Sequence, residues 1–143
     1  MTYTLSIKYY KIIEHMGINK AYKHRIYPNN NQKKYFSKVF GCVRFLYNKM
    51  LSDKKDYYKN NRQNLITYPS KYKEEFPFLK EIDSLALCNV QLNLNSAYNN
   101  FFREIKKGNR TQGFPKYKSK KNRQTFRTNI LKITMKLKVI KKK

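Results

Sequence analysis

The chain has no tryptophan, two cysteines, four glycines, four prolines and eight acidic side chains in 143 residues. Each scarcity narrows what the protein can do. Cys42 and Cys88 are far apart, and with only His15 and His24 beside them they show none of the spacings by which four ligands take zinc, so no metal and no cofactor is expected. Both cysteines fall in apolar helical patterns and are expected as reduced core residues. The glycines form no phosphate-cradling loop, and no Ser-His-Asp arrangement stands out. No run of eighteen apolar residues could span a bilayer. The opening stretch, Met1 to His15, alternates apolar and polar residues and carries Glu14, unlike a signal or transit peptide.

What is abundant is positive charge. The formal net charge is +25, with 33 Lys and Arg, and such self-repulsion calls for a polyanionic partner. Sixteen of the basic residues lie from Arg103 onward, where Glu104 is the one acid. A merely solvated face would mix both signs. Aromatic and aliphatic residues are plentiful enough for one domain with a real core.

Tyr3 to Tyr9 alternates as a strand does, and Ala21 to Tyr27, stopped by Pro28, is a second strand candidate. Asn29, Asn30 and Asn31 offer capping side chains for a helix from Gln32 to about Lys59, whose stripe runs Phe36, Val39, Phe40, Val43, Leu46, Tyr47, Met50. Gly41 within it is expected to admit a close helix neighbour. Residues 60–77 read as a loop with a short helix. A third helix starts at Asp83 or Ser84, with Leu87, Val90, Leu94, Ala97/Tyr98, Phe101 and Ile105 on its apolar side and Gly108 as its stop. After a basic loop, 109–123, Leu131 to Val139 alternates apolar residues with Lys and Thr as a last strand.

The segment Gly113-Phe114-Pro115-Lys116-Tyr117-Lys118-Ser119-Lys120-Lys121-Asn122-Arg123 interleaves aromatics with cations. Cations neutralise phosphates and aromatic faces stack on unpaired bases, which suits a groove that tracks a nucleic-acid backbone. The competing reading is a packed Phe114 and Tyr117 flanked by solvated lysines. Phosphate contacts are expected at Lys116, Lys118, Lys120, Lys121, Arg123 and Arg127, with Tyr117 beside them. Arg44 either meets a phosphate or holds Asp83 or another acid.

The order of the residues resembles a known family. Gly113 to Lys120 resembles the "GFPRFKSK" motif of the TnpB (OrfB) proteins, RNA-guided nucleases of bacterial insertion sequences related to type V CRISPR effectors. Asn19-Lys20-Ala21-Tyr22-Lys23-His24-Arg25-Ile26-Tyr27-Pro28-Asn29 is similar to the family's "NKAYKFRIYPN". Gly41-Cys42-Val43-Arg44-Phe45-Leu46-Tyr47-Asn48 resembles "GCxRFVYN". Leu79 to Leu87, followed by Ala97 to Phe102, resembles "LKEVDSxAL…AFKNFF". His24 stands where the family has an aromatic.

The resemblance implies an α+β, mainly helical fold: a helix-turn-helix-like recognition lobe inserted into an incomplete wedge β-barrel. Residues 1–18 are then an N-terminal extension, with Met16 an ordinary start, 19–30 the first wedge strand, 31–108 the helical region and 109–143 the basic loop and returning strand. The family's nuclease needs carboxylates around divalent metal. No Asp or Glu follows Glu104, and the earlier ones show no ligand spacing. Asp83 reads as a helix cap and Glu74-Glu75 as solvated loop charge, so no catalytic residue, no metal and no nuclease domain are expected. By position, Tyr68, Ser84, Leu85, Cys88 and Asn129 fall where the resemblance puts the reading of a short DNA motif. A core role for Leu85 and Cys88 competes with it, and Cys88 replaces a frequent glutamine. The expected partners are DNA and structured RNA, with no membrane and no small-molecule substrate, in the bacterial cytoplasm at the nucleoid. Oligomeric state is left open. A stand-alone helix-turn-helix regulator, a structural RNA-binding protein and a degraded gene product are the alternatives.

Overall fold

The protein is described from a computed structural model covering residues 3–10, 19–109 and 113–128. The expected strand from Leu131 to Val139 lies outside the described residues. Two strands, β1 (Tyr3–Tyr10) and β2 (Asn19–Ile26), are followed by helices α1 (Asn30–Asn61), α2 (Pro69–Glu75) and α3 (Ser84–Lys106), with a 3-10 turn at Pro77–Glu81 between the last two. The chain divides into two compact units. One holds the strands and the chain up to Tyr35; the other runs from Phe36.

In the first unit β1 and β2 pair antiparallel over eight residues, from Tyr3 opposite Ile26 to Tyr10 opposite Asn19. β1 is the strand expected from the alternation of Tyr3 to Tyr9, and it lies in the stretch that the resemblance makes an extension. Within the described residues this is a two-stranded sheet. The cap of α1 also belongs here. Asn29 Oδ1 accepts from the Gln32 amide and Gln32 Oε1 from the Asn29 amide, each at 2.9 Å, a reciprocal capping box that satisfies two otherwise orphaned donors.

The second unit is helical. The α1 stripe recurs at three- and four-residue spacing and buries Val39, Val43, Leu46, Tyr47, Met50 and Leu51. α3 returns Ala86, Leu87, Val90 and Leu94 against the same core, and Tyr72, Leu79 and Ile82 close it from the connecting segment. Leu46, Leu87 and Leu94 are wholly enclosed, each worth about 1.5–3 kcal/mol of transfer free energy. Helix ends follow local chemistry. Pro69 opens α2 with the φ that a first helical turn wants. The Asp83 carboxylate accepts from the Leu85 and Ala86 amides, both at 3.2 Å, to cap α3. Gly108, at φ +75°, ends it, with its amide on the Ile105 carbonyl and that of Asn109 on Glu104.

Several expectations change. A Cβ on Gly41 would meet nothing within 4 Å, so this glycine admits no close helix neighbour. Cys42 is buried and Cys88 exposed, because Cys88 lies on the α3 face opposite Leu87, Val90 and Leu94. Burial pushes the Cys42 thiol pKa up, the nearby Lys38 charge opposing it more weakly. Ile105, expected on the apolar side, is 46% exposed in the last turn, where the core has ended. Glu74 and Glu75 sit on α2 rather than in a loop, and Lys49 comes within 3.8 Å of Glu75.

Candidate nucleic-acid interface

The first surface is the start of α3. From Ser84 to Phe102 the helix carries no charged residue, nineteen positions in a chain that is 29% charged. Its outward face begins Ser84, Leu85, Cys88 and continues to Leu92 and Ser96, all exposed or partly so. Leu85 is 41% and Leu92 59% exposed, which settles against a core role for Leu85 and Cys88. Around this neutral face the chain gathers cations. Lys73 on α2 donates from Nζ to Ser84 Oγ at 2.6 Å. The 127–128 segment is pinned beside the helix: Thr128 Oγ1 donates to Asp83 Oδ2 at 2.5 Å, and buried Asn89 donates from Nδ2 to the Leu85 and Arg127 carbonyls at 2.9 and 3.1 Å. The Arg127 side chain is left exposed. Tyr68, 57% exposed, stands immediately before α2. Asn129 lies outside the described residues. Because Asp83 uses the free amides of the first turn, an anion would meet side chains here rather than bare helix N–H groups.

The second surface is the basic segment, 113–124. It is irregular, and two polar side chains build it. Asn48 on α1 grips Lys118 by its backbone, accepting the amide on Oδ1 at 2.8 Å and donating Nδ2 to the carbonyl at 2.9 Å. Gln124 donates from Nε2 to the carbonyls of Ser119, Lys120 and Asn122, at 3.1, 3.1 and 2.6 Å, and accepts from Arg44 Nη1 at 3.0 Å. Arg44 therefore holds the segment; Asp83 is engaged by the α3 cap and Thr128. Buried Pro115 anchors the other end.

This scaffold separates the expected contact residues. Lys116, Lys120, Lys121 and Arg123 are exposed and form no ion pair among the described residues. Lys118 turns inward instead, its Nζ 4.2 Å from the Tyr47 ring centroid, and burial lowers its pKa. Tyr117 is 49% exposed, while Phe114 meets Tyr98 and Phe101 edge-on at 5.3 and 5.2 Å and still shows 39% of its surface. Packed and exposed readings of this pair thus both hold in part. Lys55 lies over both rings, 5.1 Å from the Phe114 centroid and 4.5 Å from that of Tyr117. Beneath them Lys54 is buried. Its Nζ donates to the Leu65 carbonyl at 2.5 Å and burial lowers its pKa.

Sequence reasoning missed Lys55, Lys73, Asn48, Asn89 and Gln124. Asn48 and Lys118 are seventy residues apart, and no periodicity marks such a pair. Lys55 carried a faint signal, standing beside Lys54 one position off the apolar stripe. Among the described residues no cluster of His, Cys, Asp or Glu could hold a metal ion, and no helix is long and apolar enough to cross a membrane.

Residues 16–63 match the helix-turn-helix domain of IS605 OrfB proteins. Within that span the structure has β2 and one continuous helix, α1. Over 111 residues the chain is 34% identical to a Streptomyces pristinaespiralis protein named putative RNA-guided DNA endonuclease, covering 73% of this chain and 26% of that relative. It is 31% identical over 115 residues to the virulence protein VsdF of Salmonella dublin, covering 71% of this chain and 93% of that protein. The chain thus spans about a quarter of the first relative and nearly all of the second.

Proposed function

Starting from the fact that this chain belongs to the OrfB/TnpB transposase family of insertion sequences, we propose that it binds DNA and structured RNA and does not itself cleave them. The observation that carries the reading is the neutral exposed face of α3 set among cations. Base edges are read by uncharged donors, acceptors and apolar groups, whereas phosphates are held by Lys and Arg. Leu85 and Cys88 offer thymine methyls an apolar contact and Ser84 offers a hydroxyl, with Lys73, Arg127 and Tyr68 placed to position the backbone. Lys116, Lys120, Lys121 and Arg123 supply sequence-independent grip on the same polyanion.

In this reading β1 and β2 open a wedge barrel, residues 31–108 form the recognition lobe and 109–143 lead back to the barrel. The relative's name supports a guide RNA as the second partner, base pairing then reading most of the target. The chain works in the bacterial cytoplasm, without a cofactor or a small-molecule substrate. A stand-alone helix-turn-helix regulator would set its recognition helix three or four residues after its partner. Here residues 62–83, with α2 among them, separate α1 from α3, a spacing that does not fit that alternative.

Selection from a random duplex library followed by binding measurements tests the proposal. A short enriched motif is expected, and Leu85→Ala should relax preference at a fixed position while nonspecific binding persists. Absence of any enriched motif together with affinity indifferent to salt overturns it. Incubation with Mg²⁺ and co-expressed RNA should leave labelled DNA uncut; cleavage overturns the second half.

A further inference from the structure

The aromatic side chains near the basic segment are not scattered. Phe114 from the segment packs with Tyr98, Phe101 and Phe102 from α3, Tyr117 shares the Lys55 ammonium with Phe114, and Tyr47 from α1 lies near enough to Tyr98 to raise its pKa. The inner rings are packed: Tyr47 is buried and Tyr98 half-buried, with its pKa pushed up to about 12 by burial first, then by Tyr47 and Tyr117. The outer rings, Phe102, Phe114 and Tyr117, remain 52%, 39% and 49% exposed. Three large rings left half in water are costly unless something covers them.

Charge says what covers them. One ammonium, on Lys55, lies within about 5 Å of both the Phe114 and Tyr117 centroids, and no carboxylate of the described residues pairs with it. Lys116 and Lys120 are exposed on the same segment. A partner that brings flat apolar faces and negative charge together in alternation fits this surface. Paired bases turn only their edges to the grooves, so a ring that offers its face needs a base that is out of a duplex. Rigidity agrees: the Asn48 grip holds the backbone next to Tyr117, and edge-on packing holds the Phe114 ring before any ligand arrives, which lowers the ordering cost of binding.

We propose that Phe114 and Tyr117 form a stacking shelf for unpaired bases of a single strand, with Lys55 as the cation for the phosphate between them. This deepens the nucleic-acid reading of the basic segment and rests on it. It is separate from the duplex-facing start of α3.

Direct titration of the full chain tests it, with fluorescein-labelled dT12, U12 and a 12-base-pair duplex as probes. Tyr117→Leu keeps an apolar side chain at a half-exposed site and removes only the ring face. It should weaken dT12 and U12 binding by about 5- to 150-fold, the range for losing one stacked base, and change duplex affinity less than twofold. Tyr117→Trp supplies the chain's sole indole, whose emission should be quenched by dT12 and not by the duplex. Circular dichroism melting confirms that both variants fold. Unchanged dT12 affinity in Tyr117→Leu, or equal loss on dT12 and duplex, overturns the shelf, as does an unquenched indole. A wild-type chain that binds the duplex but neither single strand overturns the shelf alone. One that binds none of the three probes overturns the proposed function with it.

Discussion

α1 and α3 pack on one core with similar apolar stripes, yet their outer faces are opposites. α1 carries eight Lys or Arg and two Asp over 32 residues, while the first nineteen residues of α3 carry no charge. A cation on a helix surface costs little in water and gives affinity for any polyanion. An exposed Leu or Cys gives no such gain and leaves apolar surface wet. In a chain of +25, nineteen uncharged positions are the departure that needs a reason. On the proposed reading, the difference allots grip and discrimination to different helices: α1 and the basic segment it anchors would hold phosphates, and α3 would meet what differs between sequences.

The contrast is broken or sharpened most strongly by salt. If six to ten phosphates are neutralised, duplex affinity should fall about 10³–10⁵-fold between 50 and 200 mM salt. Replacing Lys120, Lys121 and Arg123 by Gln should flatten that slope, by about 0.9 for each phosphate left without its cation. Leu85→Ala should leave the slope alone. Equal slope changes in both variants would erase the distinction between the helices.

A smaller effect comes from the clamp. Asn48→Ala removes no charge but frees both backbone groups of Lys118, and should cost about 1–3 kcal/mol of stability in urea unfolding. Its affinity loss should fall on the basic segment, weakening all sequences alike. Next is the α3 cap. Asp83→Ala leaves the Leu85 and Ala86 amides unpaired and should cost about 0.5–2 kcal/mol, with sequence preference disturbed more than overall affinity. The least effect is read through pH. The folded-state pKa of Tyr98, about 12, exceeds the ordinary tyrosine value of 10 because the phenol is buried. The unfolded chain therefore loses this proton first, and stability present below pH 10 is lost as pH rises from 10 towards 12. Tyr98→Phe should make alkaline unfolding less steep in that window.

Much of the second unit was legible, because local chemistry wrote it. The Asp83 cap and the Gly108 stop, like the Asn29–Gln32 box that opens α1, each join residues within a turn or two, and the α1 stripe needs only its own spacing. What sequence could not show was which side of a pattern a neighbour would cover. Cys88 sits one position after buried Leu87 and still faces out; Gly41 sits among core residues and meets open space. The candidate site was half legible. Its cations were plain from composition, but the inward turn of Lys118 depends on Tyr47, and the shape of the 119–124 turn depends on Gln124 and Arg44. The partners that Tyr47 and Arg44 meet lie some seventy to eighty residues further along the chain, with no periodic trace.

The grip of Asn48 on Lys118 also bears on the order in which the protein assembles. Closing a ring of seventy residues carries an entropic cost that only nearby, already formed structure can offset. Docking α1 and α3 first lowers that cost, so the basic segment is expected to arrive late in folding and to leave early in unfolding. The Lys118 amide should exchange with solvent faster than those of Leu46 and Leu87 at the centre of the helical core. Saturating nucleic acid should slow its exchange, so that the part built last is the part the ligand completes.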